Sequence, residues 1–537
     1  MTTSFLIHQI LANTATRYPH KQAVIFGDDS LTYSELVESS CSLACALKAS
    51  GLRRGDMVGI MLRKSLSSIV SLYGILMSGA AYVPIDPLLP GNRIKYIIDN
   101  CGIRILITSA EYVDRHMAIL DDILTIDWVI VTDKEPAAIR SKTKTIHLMD
   151  WKAVMGFSAE LQEERFPDTY PAYVLHTSGS TGHPKGVVIS HLNSLTFVKT
   201  AVEHFNISGT DRLACHAPLH FDLSVFDIFV SAAAGATLVL VPESTSLFPV
   251  KLAEFIKNNR ITVWNSVSSA LSLLADRGFP EGSLIPDMRL VIFSGEVLPQ
   301  KYLKKLKSHM TEATFCNIYG QTEANSSTCY VIKEIPDDPK WKIPVGKALP
   351  NFEVLLIGED GVEVKQPGQE GEIFVNSNTV AQGYINMPEL TRERFVPDPR
   401  FPSTPRTVYK TGDIGYYDTD GNLVFLYRKD NMIKVRGHRV ELGEIERTLS
   451  SHDSVDLAVV TCVPDDKTTN RIAAFVSWRR GVNGNVRLIK SFCEHHLPRY
   501  MMPEAIWPVE KWPLTANDKI DRKLLQDQAK EKLAEGN

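Results

Sequence analysis

Residues 177–186 read TSGSTGHPKG, with four hydroxyl side chains, three glycines, one proline and one lysine, and His183 besides. The stretch follows Tyr173-Val174-Leu175 and precedes Val187-Val188-Ile189. A glycine-rich loop between apolar strands can turn its backbone N–H groups toward one point. Its hydroxyls and lysine add donors and positive charge, which is what a polyphosphate requires. The spacing is not that of a Walker loop, because Pro184 precedes Lys185 and Gly186 follows it. Composition alone also fits a plain surface loop.

Working outward, short apolar runs alternate with amphipathic stretches up to about residue 330. The runs include residues 56–62, 104–108, 128–132, 236–241 and 289–294, and SHLNSLTFVKTAVEHF has helical spacing. This alternation predicts an α/β fold of layered, largely parallel sheets. Residues 345–428 carry strands joined by Gly and Asp turns, predicting a small β-barrel-like subdomain. Beyond Asp430, MIKVRGHRVELGEIERTLSSH leads to LAVVTCV and RIAAFVSW, each expected to be followed by a helix. The expected division is a core domain over 1–429 and a small α+β domain over 430–537.

The 537 residues carry a net charge of -4, which gives no electrostatic case for nucleic acid or an acidic membrane. Eight cysteines are scattered without a CxxC pair and read as core thiols. The N-terminus lacks a signal-peptide pattern, and no apolar run reaches the ~18 residues of a membrane span. The expectation is a cytoplasmic enzyme. GDDSL (27–31) mimics the serine signature of a phosphopantetheine carrier but reads as a turn before the strand LTY.

The phosphate-type loop resembles that of the adenylate-forming superfamily of acyl-CoA synthetases, luciferases and nonribosomal peptide synthetase adenylation enzymes. The resemblance runs along nearly the whole chain: LTYSEL (31–36), GAAYVPIDP (79–87), NIYGQTE (317–323), YKTGDIGYYDTDGNL (409–423), RKDNMIKVRGHRVELGEIE (428–446) and PLTANDKIDRKLL (513–525). It is nearest to free-standing amino-acid adenylation enzymes that load a discrete carrier protein. The resemblance implies two half-reactions. A carboxylate attacks the α-phosphate of ATP, and a thiol then attacks the mixed anhydride. Positioned cations and donors supply the catalysis, with no protein nucleophile.

By resemblance, Thr177, Ser178, Gly179, Ser180, Thr181, Gly182 and Lys185 hold the β- and γ-phosphates. Thr322 touches the α-phosphate and Glu323 ligates Mg2+. Gly295, Glu296, Tyr319 and Gly320 line the nucleotide, with Tyr319 stacked on adenine. Asp413 accepts from the ribose hydroxyls and Arg428 supports them. Lys519 bridges the substrate carboxylate and the α-phosphate. Three departures are Asp518 where glycine is usual, Gln321 in place of proline, and Tyr427 in place of glycine. Asp430 matches a hinge. Rotation about it is implied to bring Lys434, Arg436 and Gly437 to the site for the thiol step.

The substrate is read from HFDLSVFDIF (220–229). Asp222 lies in an apolar stretch, where a carboxylate is expensive unless a cation pairs with it. In the amino-acid branch an acid at this position binds the α-ammonium. A helix N-cap is the structural alternative, and Asp227 is a competing candidate that falls outside the matching position. The other pocket positions are Leu223, Phe226, Asn265, Ile292, Ser294, Ile318, Ser326 and Ser327. They carry no charge opposite to a Lys, Arg, Asp or Glu substrate. A small neutral amino acid is favoured: alanine, cysteine or serine, with proline also in view. No carrier region is read in the sequence, so a separate phosphopantetheinyl carrier protein is expected as partner, and Arg436, Arg439, Lys490 and Arg499 read either as part of its docking face or as plain solvated surface. The competing functions are an acyl- or aryl-CoA ligase and an inactive nucleotide-binding partner subunit.

Overall fold

A computed structural model describes residues 4–133, 146–160, 165–178, 184–280, 282–338, 341–429, 432–465, 469–482, 484–514 and 520–535. The apolar runs become strands, over Met57–Met61, Ile105–Thr108, Trp128–Val131, Thr237–Leu240 and Leu290–Ser294. They belong to two large sheets. The seven-stranded sheet pairs Met57–Met61 in parallel with Ala81–Pro84 and Ile105–Thr108. The nine-stranded sheet sets Val263–Val267, Leu290–Ser294 and Thr314–Gln321 side by side in parallel.

Each sheet is apolar on both faces, as parallel sheets covered by helices must be. One cluster lies between the sheets and includes Leu43 and Leu47, Ile69 and Leu72, and Leu195 and Val198 from three helices, Tyr33–Ala49, Leu66–Met77 and His191–His204. The outer face of the nine-stranded sheet is covered by helices carrying Leu252, Leu271 and Leu303. The outer face of the other sheet is covered by helices carrying Ile94 and Val113. The result is five layers, αβαβα. Helix starts are set locally: Thr32 with Glu35, and Ser190 with Asn193, close reciprocal capping boxes.

Residues 352–428 form a five-stranded sheet, in keeping with the strand-and-turn texture of the sequence. The turn expected over GDDSL is confined to Gly27-Asp28, which join Gln22–Phe26 to the antiparallel strand Asp29–Thr32; that strand already contains Asp29, Ser30 and Leu31, and Tyr33 of LTY opens a helix instead, because Thr32 caps it. Another expectation fails. LAVVTCV is not followed by a helix, because Val455–Asp465 pairs directly with Thr469–Trp478 as an antiparallel hairpin. Only the second of these strands precedes a helix, Val486–His496. Three residues separate the two strands, fewer than one helical turn. This C-terminal region builds its own core around Val460, Ile472 and Ala474.

Candidate active site

Strand ends converge on one edge of the layers. Thr177, Val267, Ser294 and Gln321 each close a strand. A crevice at the carboxyl ends of parallel strands is where open α/β sheets bind ligands. The loop of the opening stretch is the connection of a hairpin, Pro171–Thr177 against Lys185–Ser190. Thr177 Oγ1 and Ser178 Oγ are buried and find no hydrogen-bond partner among the described residues. Orphaned buried hydroxyls at the base of a donor-rich loop suit phosphate oxygens. Gly179, Ser180, Thr181 and Gly182 lie outside the described residues, as do Asp430, Asp518 and Lys519.

Lys185 is 3% exposed, and its Nζ donates to Glu441 Oε1 at 3.0 Å. Burial, followed by the charge of Arg439, holds the Lys185 ammonium below its ordinary pKa, against the pull of Glu441 and Glu323. Glu323 is fully buried. Its Oε1 accepts from Tyr384 Oη at 2.7 Å, and Arg439 Nη1 lies 3.0 and 3.3 Å from its two oxygens. Burial pushes this carboxyl up, but Arg439 and Lys185 outweigh it and hold the group at about 2. Among the described residues no three His, Cys, Asp or Glu side chains gather as a metal cage. An Mg2+ ion held by Glu323 would therefore draw its other ligands from phosphate and water, which suits its preference for hard oxygens.

Asp413 anchors a second cluster. Its Oδ2 accepts from Tyr319 Oη at 2.6 Å and Gln321 Nε2 at 2.5 Å, and its Oδ1 from Arg428 Nη1 at 2.5 Å. Gln321 is thus a donor to both the acid and Tyr319 Oη, and the latter bond is 2.7 Å. The cluster is pre-set by strand pairing, since Asp413 lies opposite Arg428 in register.

Asp222 is half-buried and heads a short helical turn, Leu223–Val225, yet its side chain makes no capping bond. Its Oδ2 accepts instead from Thr322 Oγ1 at 2.7 Å. That bond joins the acid to the residue immediately before Glu323. Asp227 is nearly fully buried, with Oδ1 3.4 Å from Asn265 Nδ2 and no partner for Oδ2 among the described residues. Burial drives its pKa well up, and Asn265 and Lys64 offset only part of that. The same burial disfavours the charged form that an ammonium would need.

Register places Asn265 opposite Ile292, and Ser294 opposite Ile318, on the inner face of the nine-stranded sheet. Asn265 Nδ2 also reaches Leu223 O at 3.3 Å. Gly320 pairs with Ser326 just past a bulge, and Ser327 Oγ donates to Asn325 O at 3.1 Å. Phe226 packs behind, 5.9 Å from Phe205 and 6.4 Å from Phe197.

The hairpin Met432–Val435 and His438–Glu441 enters this crevice. Its two-residue turn has Arg436 at φ 50° and Gly437 at φ 80°, the type I′ geometry of tight hairpins. Gly437 N donates to Glu296 Oε1 at 2.6 Å. A Cβ on Gly437 would lie 2.4 Å from Val267 Cγ1, so glycine is needed for both conformation and space. Lys434 Nζ approaches Gly295, and burial lowers its pKa against the attraction of Asp413, Asp222 and Glu296. Arg436 is exposed, as are Lys490 and Arg499. Arg439 departs from its expected place on a carrier-docking face. It turns inward to the buried charge of Glu323, which no other guanidinium meets among the described residues. Tyr384 and Glu441 also join the site unforeseen. The only signal for Glu441 was its place in the RGHRVELGEIE stretch.

The AMP-binding enzyme family matches residues 11–385, and the AMP-binding enzyme C-terminal domain matches 444–519. The chain belongs to this family of adenylating enzymes. It is 32% identical over 521 residues to the L-proline--[L-prolyl-carrier protein] ligase of Pseudomonas fluorescens, covering 96% of this chain and 98% of that protein. It is 34% identical over 526 residues to bacitracin synthase 1 of Bacillus licheniformis, of whose length it spans 9%. Among solved structures, the Vibrio cholerae adenylation domain AlmE, in complex with glycyl-adenosine-5'-phosphate, shares the fold at a TM-score of 0.84 and 24% identity, over 99% of both chains. IdnL1 aligns at 0.76 with 26% identity over 95% of this chain and all of that one. No helix among the described residues is long and apolar enough to cross a membrane.

Proposed function

We propose that the chain activates a small neutral amino acid with ATP and Mg2+, releasing pyrophosphate, and passes the aminoacyl group to the phosphopantetheine thiol of a separate carrier protein. The observation that carries this reading is the carboxylate of Asp222. It is half-buried, does no capping, and is aimed by Thr322 next to Glu323. An acyl- or aryl-CoA ligase has no substrate ammonium for it to meet. The neutral lining of Asn265, Ile292, Ser294 and Ile318 offers no counter-charge to a charged side chain. A pocket of this kind separates neighbours by only ~1–3 kcal/mol per methylene, so alanine, cysteine, serine and proline all stay in the candidate set.

In this reading Asp222 grips the ammonium end and Lys519 the carboxylate end. Thr177, Ser178 and Lys185 face the phosphates. Tyr319, Asp413 and Arg428 take the nucleoside, and Glu323 the metal. Bound Mg2+ would offset the negative charge of the phosphates during displacement. Residues near 430 serve as a hinge between a core over 1–429 and a mobile domain over 430–537, and the docked hairpin belongs to the thiol step. Amino-acid-dependent ATP–pyrophosphate exchange tests the proposal. Exchange with one or a few small neutral amino acids is expected. Exchange only with acids lacking an amine would select the CoA ligase, and no exchange with any acid would refute both.

A further inference from the structure

Gln321, one of the three departures from the family pattern, closes the strand Thr314–Gln321 and is 9% exposed. Its bonds fix which way the amide points. The Tyr319 hydroxyl spends its proton on Asp413 Oδ2. Burial, followed by the charge of Asp413, holds that phenol well above its usual pKa, so it keeps the proton. Asp413 Oδ2 and Tyr319 Oη are therefore both acceptors toward the amide. Gln321 Nε2 donates to them at 2.5 and 2.7 Å, which uses both of its N–H groups. Oε1, on the same amide carbon, is left in this cluster as a buried acceptor with no partner among the described residues. A buried acceptor left unpaired is costly, so a donor belongs there.

The capacity of Asp413 points to the donor. A carboxylate has about four lone-pair sites. Tyr319, Gln321 and Arg428 occupy three of those on Asp413. One site remains, while the ribose of ATP brings two hydroxyls. The second hydroxyl needs another acceptor, and Gln321 Oε1 is the free one in the cluster. We propose that Gln321 determines nucleotide specificity by accepting a hydrogen bond from one ribose hydroxyl at Oε1, while Asp413 accepts from the other. This rests on the nucleoside role given above to Asp413. The Nε2 side of the same amide holds the carboxylate and the phenol in place, so one side chain both orders the cluster and reads the sugar. A side chain without an acceptor at 321 would leave one hydroxyl unpaired.

The test is pyrophosphate exchange with ATP, 2′-deoxy-ATP, 3′-deoxy-ATP and purine riboside triphosphate, which lacks the 6-amino group. It is run in wild type, Gln321→Met and Asp413→Asn, and kcat/KM for each nucleotide is read. Calorimetric Kd values for the same nucleotides, without amino acid, give the ratios where exchange is slow. In wild type, removing either hydroxyl should lower kcat/KM about three- to tenfold, the size of one hydrogen bond. In Gln321→Met, removing one of the two should cost nothing further, while the other is still felt. Methionine fills the same space, so the lone pair it frees on Asp413 stays covered. Disorder of the cluster alone would depress all four nucleotides equally, so the ratios between nucleotides carry the result. A wild type indifferent to either hydroxyl overturns the proposal without any variant. So does a Gln321→Met variant with wild-type ratios for both deoxynucleotides, or one whose only altered ratio concerns the 6-amino group. If Asp413→Asn alters the hydroxyl ratios while Gln321→Met does not, only the role of Gln321 falls. If neither variant alters them, the nucleoside role of Asp413 falls with it.

Discussion

Replacing Asp222 by Asn keeps the shape of the side chain and its bond from Thr322 but removes the charge. The turn Leu223–Val225 should survive, because Asp222 makes no capping bond to lose. What changes is the partner offered to an ammonium. Truncating one member of a desolvated charge pair costs about 2–5 kcal/mol. Asp222 is half-buried, which places the expected loss in the lower part of that range, about 2–4 kcal/mol. At ~1.4 kcal/mol per decade this is a fall of about 30- to 1000-fold in kcat/KM for the amino acid. Pyrophosphate exchange over a series of amino-acid concentrations reads it, with the KM for ATP as internal control. Because the ammonium is held in ground and transition state alike, most of the change should appear in KM. A variant within about threefold of wild type, with unchanged ATP dependence, would refute the assignment.

Other expectations follow from the neighbouring groups. Asp413→Asn breaks the pair with Arg428 and should raise the KM for ATP about tenfold or more while leaving that for the amino acid near wild type, and equal rises would contradict the nucleoside role. Gly437→Ala adds a Cβ where Val267 Cγ1 lies 2.4 Å away, on a backbone at φ 80°, so it should slow thiol transfer more than pyrophosphate exchange. Equal effects would show that the hairpin does not serve the second step. Glu323 titrates at about 2 instead of its usual 4.5, so its contribution to stability is present above pH 4.5 and lost as pH falls toward 2. Melting at about pH 6 and about pH 3 should therefore show a larger acid-induced loss in wild type than in Arg439→Met, whereas identical losses would deny the coupling.

The layered fold was legible because parallel strands buried on both faces leave continuous apolar runs, as in residues 104–108 and 289–294. The two strands around the opening loop were legible from apolar runs on either side of glycine and proline, but their antiparallel pairing was not. Pairings over long separations were not. Gln22–Phe26 lies parallel to Thr237–Leu240 across more than two hundred residues, and nothing local marks it. The same holds within the site. Asp413 and Arg428 sit on adjacent strands and could be read together. Arg439 and Glu323 are 116 residues apart, so a basic side chain near a turn read as surface. Tyr384 carried no motif, and its hydroxyl matters only because Glu323 is buried beside it. Asp227 shows the converse. It has the same charge in sequence as Asp222, and only burial separates the two.

The most direct measurement is a crystal structure with a non-hydrolysable aminoacyl-adenylate analogue of whichever amino acid supports exchange. The α-nitrogen should lie about 2.7–3.2 Å from a carboxylate oxygen of Asp222. An amine left in solvent, with Asp222 turned to a main-chain donor, would contradict it.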